Sequence, residues 1–289
     1  MKKAAFVLAI FTAASYVLGF ARDLALAHFF GAGAAVDAFW AAFLPGDFIF
    51  NFLAAGALSG VLMPAFLRAE KNSKIEAEKF LSTFLTFLNL AVLLFSAVAF
   101  VGADFIAKNL LAAGQSEILV AKLIRINLIA PVFFAASNSL SSILLSREIF
   151  WPTAIAPLFY NLGILIGIFF GAQKFGISAA AVGAAIGAVL HFVARFFPFL
   201  KLKIKVRPRF SPDENFFRVL KLSIPRTVGF AAFQLVLVIF ARVSFSISAG
   251  VFAAFSFARN VQSAAISFFA IAISTAIFPV LSKNFAQKN

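Results

Sequence analysis

The sequence predicts an all-α polytopic membrane protein, and three observations carry that prediction. Of the 289 residues 63% are hydrophobic and 12% charged, with a mean hydropathy of +1.00, whereas a soluble domain divides far more evenly between apolar and polar residues. The apolar residues gather in runs of about 20 or more, the length that crosses a hydrocarbon core of about 30 Å. Lysine and arginine, which give the chain its net charge of +14, cluster at alternate ends of those runs. In a membrane protein that is the positive-inside signal of topology; the expected partners are membrane lipids and not nucleic acid.

Cutting at charged or Gly/Pro-rich breaks gives eight spans. The first four run Ala4–Phe20, Ala34–Leu67, Ile75–Val101 and Ile118–Leu145. The other four run Phe150–Gly171, Ile177–Leu200, Phe217–Phe245 and Gly250–Leu281. The start, Met1-Lys2-Lys3 before an apolar run, reads as a first span and not as a secretory signal, because no small-residue cleavage site is followed by a soluble mature domain. Several runs exceed a straight crossing, so tilts and kinks are expected, with Pro45, Pro131, Pro157 and Pro225 inside spans or near their starts.

Orientation follows from the connections, since basic loops stay cytoplasmic. One side holds Lys2 and Lys3, then Arg68, Lys71, Lys74 and Lys79, then Arg147. It also holds Lys201, Lys203, Lys205, Arg207, Arg209, Arg218 and Lys221, and finally Lys283 and Lys288. The opposite side holds only Arg22, Lys108 and Lys174. Both termini are therefore placed in the cytoplasm of a bacterial cell, with the spans in its inner membrane.

Local signals refine the boundaries. Ser73-Lys-Ile-Glu76 and Ser211-Pro-Asp-Glu214 read as capping boxes, the second with proline at the first helical position. The mixed stretch Phe216–Leu222 reads equally as an interfacial lead-in or as a snorkelling helix end. Glycines four apart, Gly56 and Gly60, Gly163, Gly167 and Gly171, and Gly183 and Gly187, give smooth faces for packing between helices of this chain.

Charges inside the spans carry the functional signal. An arginine at bilayer depth costs about 2.5–3.5 kcal/mol and cannot escape by deprotonation, so it needs a partner or water. Arg22 and Asp23 follow the first span, Asp37 and Asp47 lie in the second, Arg226 and Arg242 in the seventh, and Arg259 in the eighth. Together they imply a hydrated interior with positive charge in excess. Snorkelling or pairing, for example Arg22 with Asp37, is the alternative for those near span ends. Guanidinium groups around a cavity suit an anion such as phosphate, which they hold bidentately. A proton pump would instead align titratable carboxylates and histidines, and a cation exporter would present an acidic cavity.

Other chemistries find no support. Cysteine is absent, and His28 and His191 cannot build a histidine metal cage, so no metal or other cofactor is expected. There is no HExxH, GxSxG or P-loop motif. Ser59, Ser137 and Ser139 read as helix-packing serines without a histidine partner.

A family resemblance adds to this reading. Val17-Leu-Gly-Phe-Ala-Arg22-Asp23, Phe30-Gly-Ala-Gly33, Asp37-Ala-Phe39, Ala55-Gly-Ala-Leu-Ser59 with Pro64, Pro157-Leu-Phe-Tyr-Asn161 and Phe278-Pro-Val-Leu-Ser282 resemble the MurJ/MviN lipid II flippases. The likeness covers essentially the whole chain and corresponds to the first eight of that family's fourteen helices. It implies a MATE-like fold of the multidrug/oligosaccharidyl-lipid/polysaccharide exporter superfamily. Residues 1–202 would form the six-helix N-lobe, 203–216 a basic cytoplasmic linker, and 217–289 the start of a truncated C-lobe.

The resemblance also implies a function and a site. The expected activity is translocation of the peptidoglycan precursor lipid II by alternating access, without enzymatic turnover, alongside cell-wall synthesis proteins. The coupling ion stays open. Substrate contact is implied for Arg22, Asp37 and Arg259, and for Asn51 and Gln262, which stand where the family carries arginine and glutamate. Tyr16 and Ala55 likewise replace a family arginine and glutamate. Arg226 is placed to restore positive charge, and Asp23, Asp47 and Arg242 are candidates for gating ion pairs. Two other readings stay open: a same-fold exporter of another lipid-linked sugar or of a drug, and a non-transporting scaffold or inactive fragment.

Overall fold

The computed structural model describes residues 2–58, 60–111 and 117–266, and all regular structure among them is helical. Seven of the helical segments are long and apolar enough to cross a membrane. The predicted eighth span is described as far as residue 266, so Phe278–Ser282, Lys283 and Lys288 lie outside the described residues, as does Ser59.

Helix α1 (Lys2–Phe30) outruns its predicted end at Phe20 by ten residues. Arg22 and Asp23 therefore sit inside the helix and not in a loop. The helix tolerates them because the two side chains pair with one another at 2.8 Å, which removes the net charge that would otherwise end a span.

The predicted second span is a broken path. It runs through α2 (Ala34–Ala41), α3 (Leu44–Phe50), a π-helical turn at Asn51–Ala55, α4 (Gly56–Leu58) and α5 (Leu62–Asn72). Pro45 stands in the first turn of α3, where its missing N–H would have had no helical partner. Gly60, with φ of 101°, turns the chain between α4 and α5.

Helix α6 (Lys74–Val101) crosses unbroken and is followed by the short α7 (Ala103–Ile106) and a second π turn, Ala107–Leu111. The fourth span is divided into α8 (Glu117–Asn127) and α9 (Ile129–Ser146). The break falls where Pro131 cannot donate to the carbonyl four residues back, that of Asn127. Then come α10 (Trp151–Phe175), α11 (Ser178–Leu200), α12 (Glu214–Ile247) and α13, residues 251–266.

Glycine spacing sets a backbone-to-backbone helix contact. A Cβ at Gly163 would stand 2.5 Å from the Gly183 carbonyl and 2.7 Å from the Gly187 Cα, so α10 and α11 touch backbone to backbone. Large side chains fill the core elsewhere, with Leu26, Phe39, Leu62, Phe66, Phe80 and Ile143 all buried.

Of the two capping boxes, the first forms in part. The Ser73 hydroxyl accepts the Glu76 N–H, but the Glu76 carboxylate accepts from the Asn72 amide and does not reach back to the cap. The second is shifted: Asp213, and not Ser211, caps α12 by accepting the Phe216 N–H, and Pro212 precedes the cap. Carboxylate and hydroxyl both cap well, so the sequence offered two candidates two residues apart.

The segment between α11 and α12 is extended and laid along α6. Its Lys205, Arg207 and Arg209 N–H groups donate to Glu78, Ser82 Oγ and Thr86 Oγ1, and the Thr83 hydroxyl donates to the Ser211 carbonyl. The register matches because two residues of strand advance about 6.6 Å and one helical step of four residues about 6.0 Å. Alternate amides thus meet every fourth side chain of the helix.

Candidate functional site

The charged residues of α1 converge with α10 and α13 on a cavity of about 220 Å³. Ser15, Tyr16, Gly19, Arg22, Asp23, Asn161 and Asn260 are among the residues that line it. The Arg22 Nε and Nη2 both donate to the Asp23 Oδ1, at 2.9 and 2.8 Å. Its Nη1 donates to the Asn161 Oδ1 at 3.1 Å, and its guanidinium lies 5.0 Å over the Trp40 ring. Asn161 is itself tied to α1, its amide donating to the Ser15 carbonyl at 3.3 Å.

This geometry holds the guanidinium plane from two edges and one face. Among the described residues it commits three of the five N–H donors of Arg22, which leaves donors of a fixed cation for an anion entering the cavity. The second oxygen of Asp23 accepts the Asn260 amide at 2.9 Å. Asp23 therefore joins α1 to α13 while it neutralises Arg22.

A second polar group lies near this cavity: Asp47 on α3, Tyr160 on α10 and Arg259 on α13. Asp47 and Arg259 interact electrostatically, and Tyr160 feels both Asp47 and Arg22. Arg259 is half-buried. Asp47 and Tyr160 share a narrow cavity with the buried Asn127.

Asp37, expected as a substrate contact, is bonded to backbone N–H groups and lies outside the lining of the Arg22 cavity. Its Oδ2 accepts the Gly250 N–H and its Oδ1 the Ala253 N–H, each at 2.6 Å, and the residue is 1% exposed. It is an anchor for the N-terminus of α13, whose first N–H groups have no helical acceptor. The pairing of Arg22 with Asp37 therefore does not occur. Asp23, adjacent on the same helix, reaches the guanidinium first.

Other expected contacts lie elsewhere. Arg226 is exposed beside Gly60 at the α4–α5 turn. Arg242 donates to the Lys108 carbonyl at 3.2 Å, near the far end of α12. Gln262 is exposed, while Asn51 donates to the Asp47 carbonyl at 2.8 Å where the helix widens into its π turn.

Ser137 does have a histidine partner. Its Oγ lies 2.9 Å from the His191 Nδ1 and accepts from the Arg195 Nη1, which is donated at 3.2 Å. Arg195 also donates to the Asn138 Oδ1 at 2.7 Å. The separation of 54 positions between Ser137 and His191 hid this pairing in the sequence. With all three side chains buried and a carbonyl-rich surrounding, the network fastens α9 to α11 and offers no nucleophile to the cavity.

Comparison with known proteins decides the family. A family model described as lipid II flippase MurJ matches residues 26–289. The chain belongs to the MurJ family. A probable MurJ of Treponema pallidum is 24% identical over 99% of the chain and 56% of its own length. The MurJ of Thermosipho africanus is 32% identical over 62% of the chain and 37% of its own length. A solved lipid II flippase MurJ in an inward closed conformation superposes with a TM-score of 0.80 at 26% identity, covering 98% of this chain and 60% of that one.

An inward-facing MATE transporter of the MOP superfamily matches in fold, with a TM-score of 0.72 at 17% identity over 99% of this chain and 67% of its own. The chain is thus a multi-pass membrane protein of MATE-like fold, and it spans little more than half the length of most MurJ relatives it matches. Within this MurJ-family chain, Asn161, Asn260 and Trp40 are among the site residues that sequence reasoning left without a role. Asn161 stood in the proline-to-asparagine motif of α10, whereas Asn260, next to Arg259, carried no signal of its own.

Proposed function

We propose that this chain moves lipid II across the bacterial inner membrane by alternating access, as a transporter and without a covalent step. The carrying observation is Arg22, fixed by Asp23, Asn161 and Trp40 in a cavity between α1, α10 and α13. A guanidinium held in this way meets a diphosphate with its orientation already set and keeps its charge through a transport cycle. Arg259 adds a second cation from α13, opposite Asp47. The lipid tail stays in hydrocarbon while the charged head crosses through water and polar side chains.

In this reading residues 1–202 act as one lobe, 203–216 as a basic connection and 217–289 as the start of the other, with both termini cytoplasmic. The contacts of α13 with Asp37 and Asp23 are the ones an opening motion pivots on or breaks. The test is rescue of bacteria depleted of their own lipid II flippase by the gene that encodes this chain. Arg259→Ala is expected to abolish rescue, and Lys203→Ala, on the basic connection, to leave it intact. Equal rescue by both variants would overturn the cavity role.

A further inference from the structure

The middle of α6 and the first half of α12 enclose an apolar groove that lies apart from the arginine cavity. Its volume is about 430 Å³, and Phe84, Phe87 and Leu88 of α6 face Val219 and Ile224 of α12 across it, with Phe52 at one side. That volume lies within the usual range for small-ligand sites, about 300–1,000 Å³. Ser223 and Thr227 are the hydroxyl residues of its lining, and Ser223 donates to the Val219 carbonyl at 2.6 Å; the other lining side chains are hydrocarbon. From Phe216 to Val228 it follows α12 for about 18 Å at 1.5 Å per residue. One leaflet of a bilayer, half of a core of about 30 Å, is about 15 Å thick.

The end of the groove at Phe216 lies beside a basic segment. There the segment laid on α6 packs the Phe210 ring against Phe87 at 6.2 Å, and Phe216 meets the same ring at 5.1 Å. Arg209 immediately precedes Phe210 and is positioned by its N–H on the Thr86 hydroxyl at 3.0 Å. Lys221 follows Leu220, which lines the groove, and is exposed. A leaflet-long hydrocarbon channel with Arg209 at its Phe216 end and the long, exposed Lys221 side chain less than halfway along α12 matches a lipid with an acidic head and not a neutral one.

We infer that this groove binds one acyl chain of an anionic phospholipid from the leaflet facing residues 203–213, with its phosphate held between Arg209 and Lys221. The inference is independent of which substrate crosses the arginine cavity. The regular pinning of the extended segment then has a purpose beyond connection, since it fixes Arg209 at the groove mouth.

The test is native mass spectrometry of the purified chain, offered phosphatidylglycerol or phosphatidylcholine with identical acyl chains. Phosphatidylglycerol is expected to be retained at least fivefold more than phosphatidylcholine. The double variant Arg209→Ala with Lys221→Ala should bring the two lipids level. Ile224→Trp and Leu220→Lys, both at exposed lining positions, should each lose the bound lipid; either one with wild-type helix content by circular dichroism suffices. Equal retention of the two lipids by the unmodified chain, or undiminished phosphatidylglycerol on a folded groove variant, would overturn the inference. So would a lipid-free dimer seated through α12, which would make a second copy the occupant.

Discussion

Asp37 on α2 holds Gly250 at the start of α13, its carboxylate accepting the N–H of Gly250 and of Ala253 through separate oxygens at 2.6 Å. The two residues are 213 positions apart. A buried carboxylate without such donors would carry a large desolvation penalty, and a helix start without an acceptor would leave its N–H groups orphaned. Each solves the other's problem. Gly250 contributes its backbone shape, with φ of 93° and the Ala32 carbonyl where a Cβ would stand.

Replacement of Asp37 by asparagine keeps the size but turns one acceptor into an NH2 group facing an N–H. The loss of one charge-assisted bond, with an N–H left unpaired, is expected to be about 1.5–3 kcal/mol. The measurement is the half-life of folded protein in detergent at a fixed temperature, because unfolding here is read as a rate. Asp37→Asn should shorten it about tenfold or more, and Gly250→Ala should also shorten it through the left-handed φ. An unchanged half-life for Asp37→Asn would mean the anchor contributes nothing.

Legibility in the sequence divides along physical lines. Helix class was open to reading because apolar run length is a local property, and five of the seven described spans lie within a few residues of their predicted ends, the second being broken near Ala55. The exception near Arg22 shows the limit: a charge looks like a span end until its partner is known. The glycine faces of α10 and α11 were read correctly as packing because spacing alone defines a smooth stripe. The partners of Asp37 and Ser137 were not legible, since they lie 213 and 54 residues away and no local pattern reports such pairs.

Arg22 offers a separation of charge from shape. Arg22→Lys keeps the cation but loses the paired donation to Asp23 and the planar face over Trp40. It should fail in flippase complementation while the protein still accumulates in the membrane. Full complementation by lysine would show that a point charge suffices.

The cavity should also be wet. Because the chain has no cysteine, Ser263→Cys in the cavity lining and the buried Ser139→Cys introduce single thiols. An aqueous maleimide should label the first and spare the second in intact membranes. Equal labelling would contradict the cavity described above.

The extended segment on α6 predicts a protease phenotype. Ser82→Ala with Thr86→Ala removes the side-chain acceptors for the Arg207 and Arg209 N–H groups. Each such bond contributes about 1 kcal/mol, a factor of about five in local opening. Limited trypsin digestion should speed up by roughly an order of magnitude after Lys205 and Arg209. Arg207 stays resistant because Pro208 follows it. Unchanged digestion with unchanged helix content would show that packing of Phe210 alone holds the segment.

The glycine-lined approach of α10 to α11 gives the last prediction. In lipid no hydrophobic force drives one apolar helix against another, so association depends on contact at short range. A methyl group at Gly183 would enter the Gly163 carbonyl, whereas one at Gly33, which has a negative φ, would meet nothing within 4 Å. Gly183→Ala therefore forces two backbones apart along a whole face, at about 1–3 kcal/mol for an overpacked contact. Its half-life in detergent should fall severalfold below that of Gly33→Ala, which should match the unmodified chain. Equal half-lives for the two variants would mean that the helices are held by their flanking side chains and not by the glycine face.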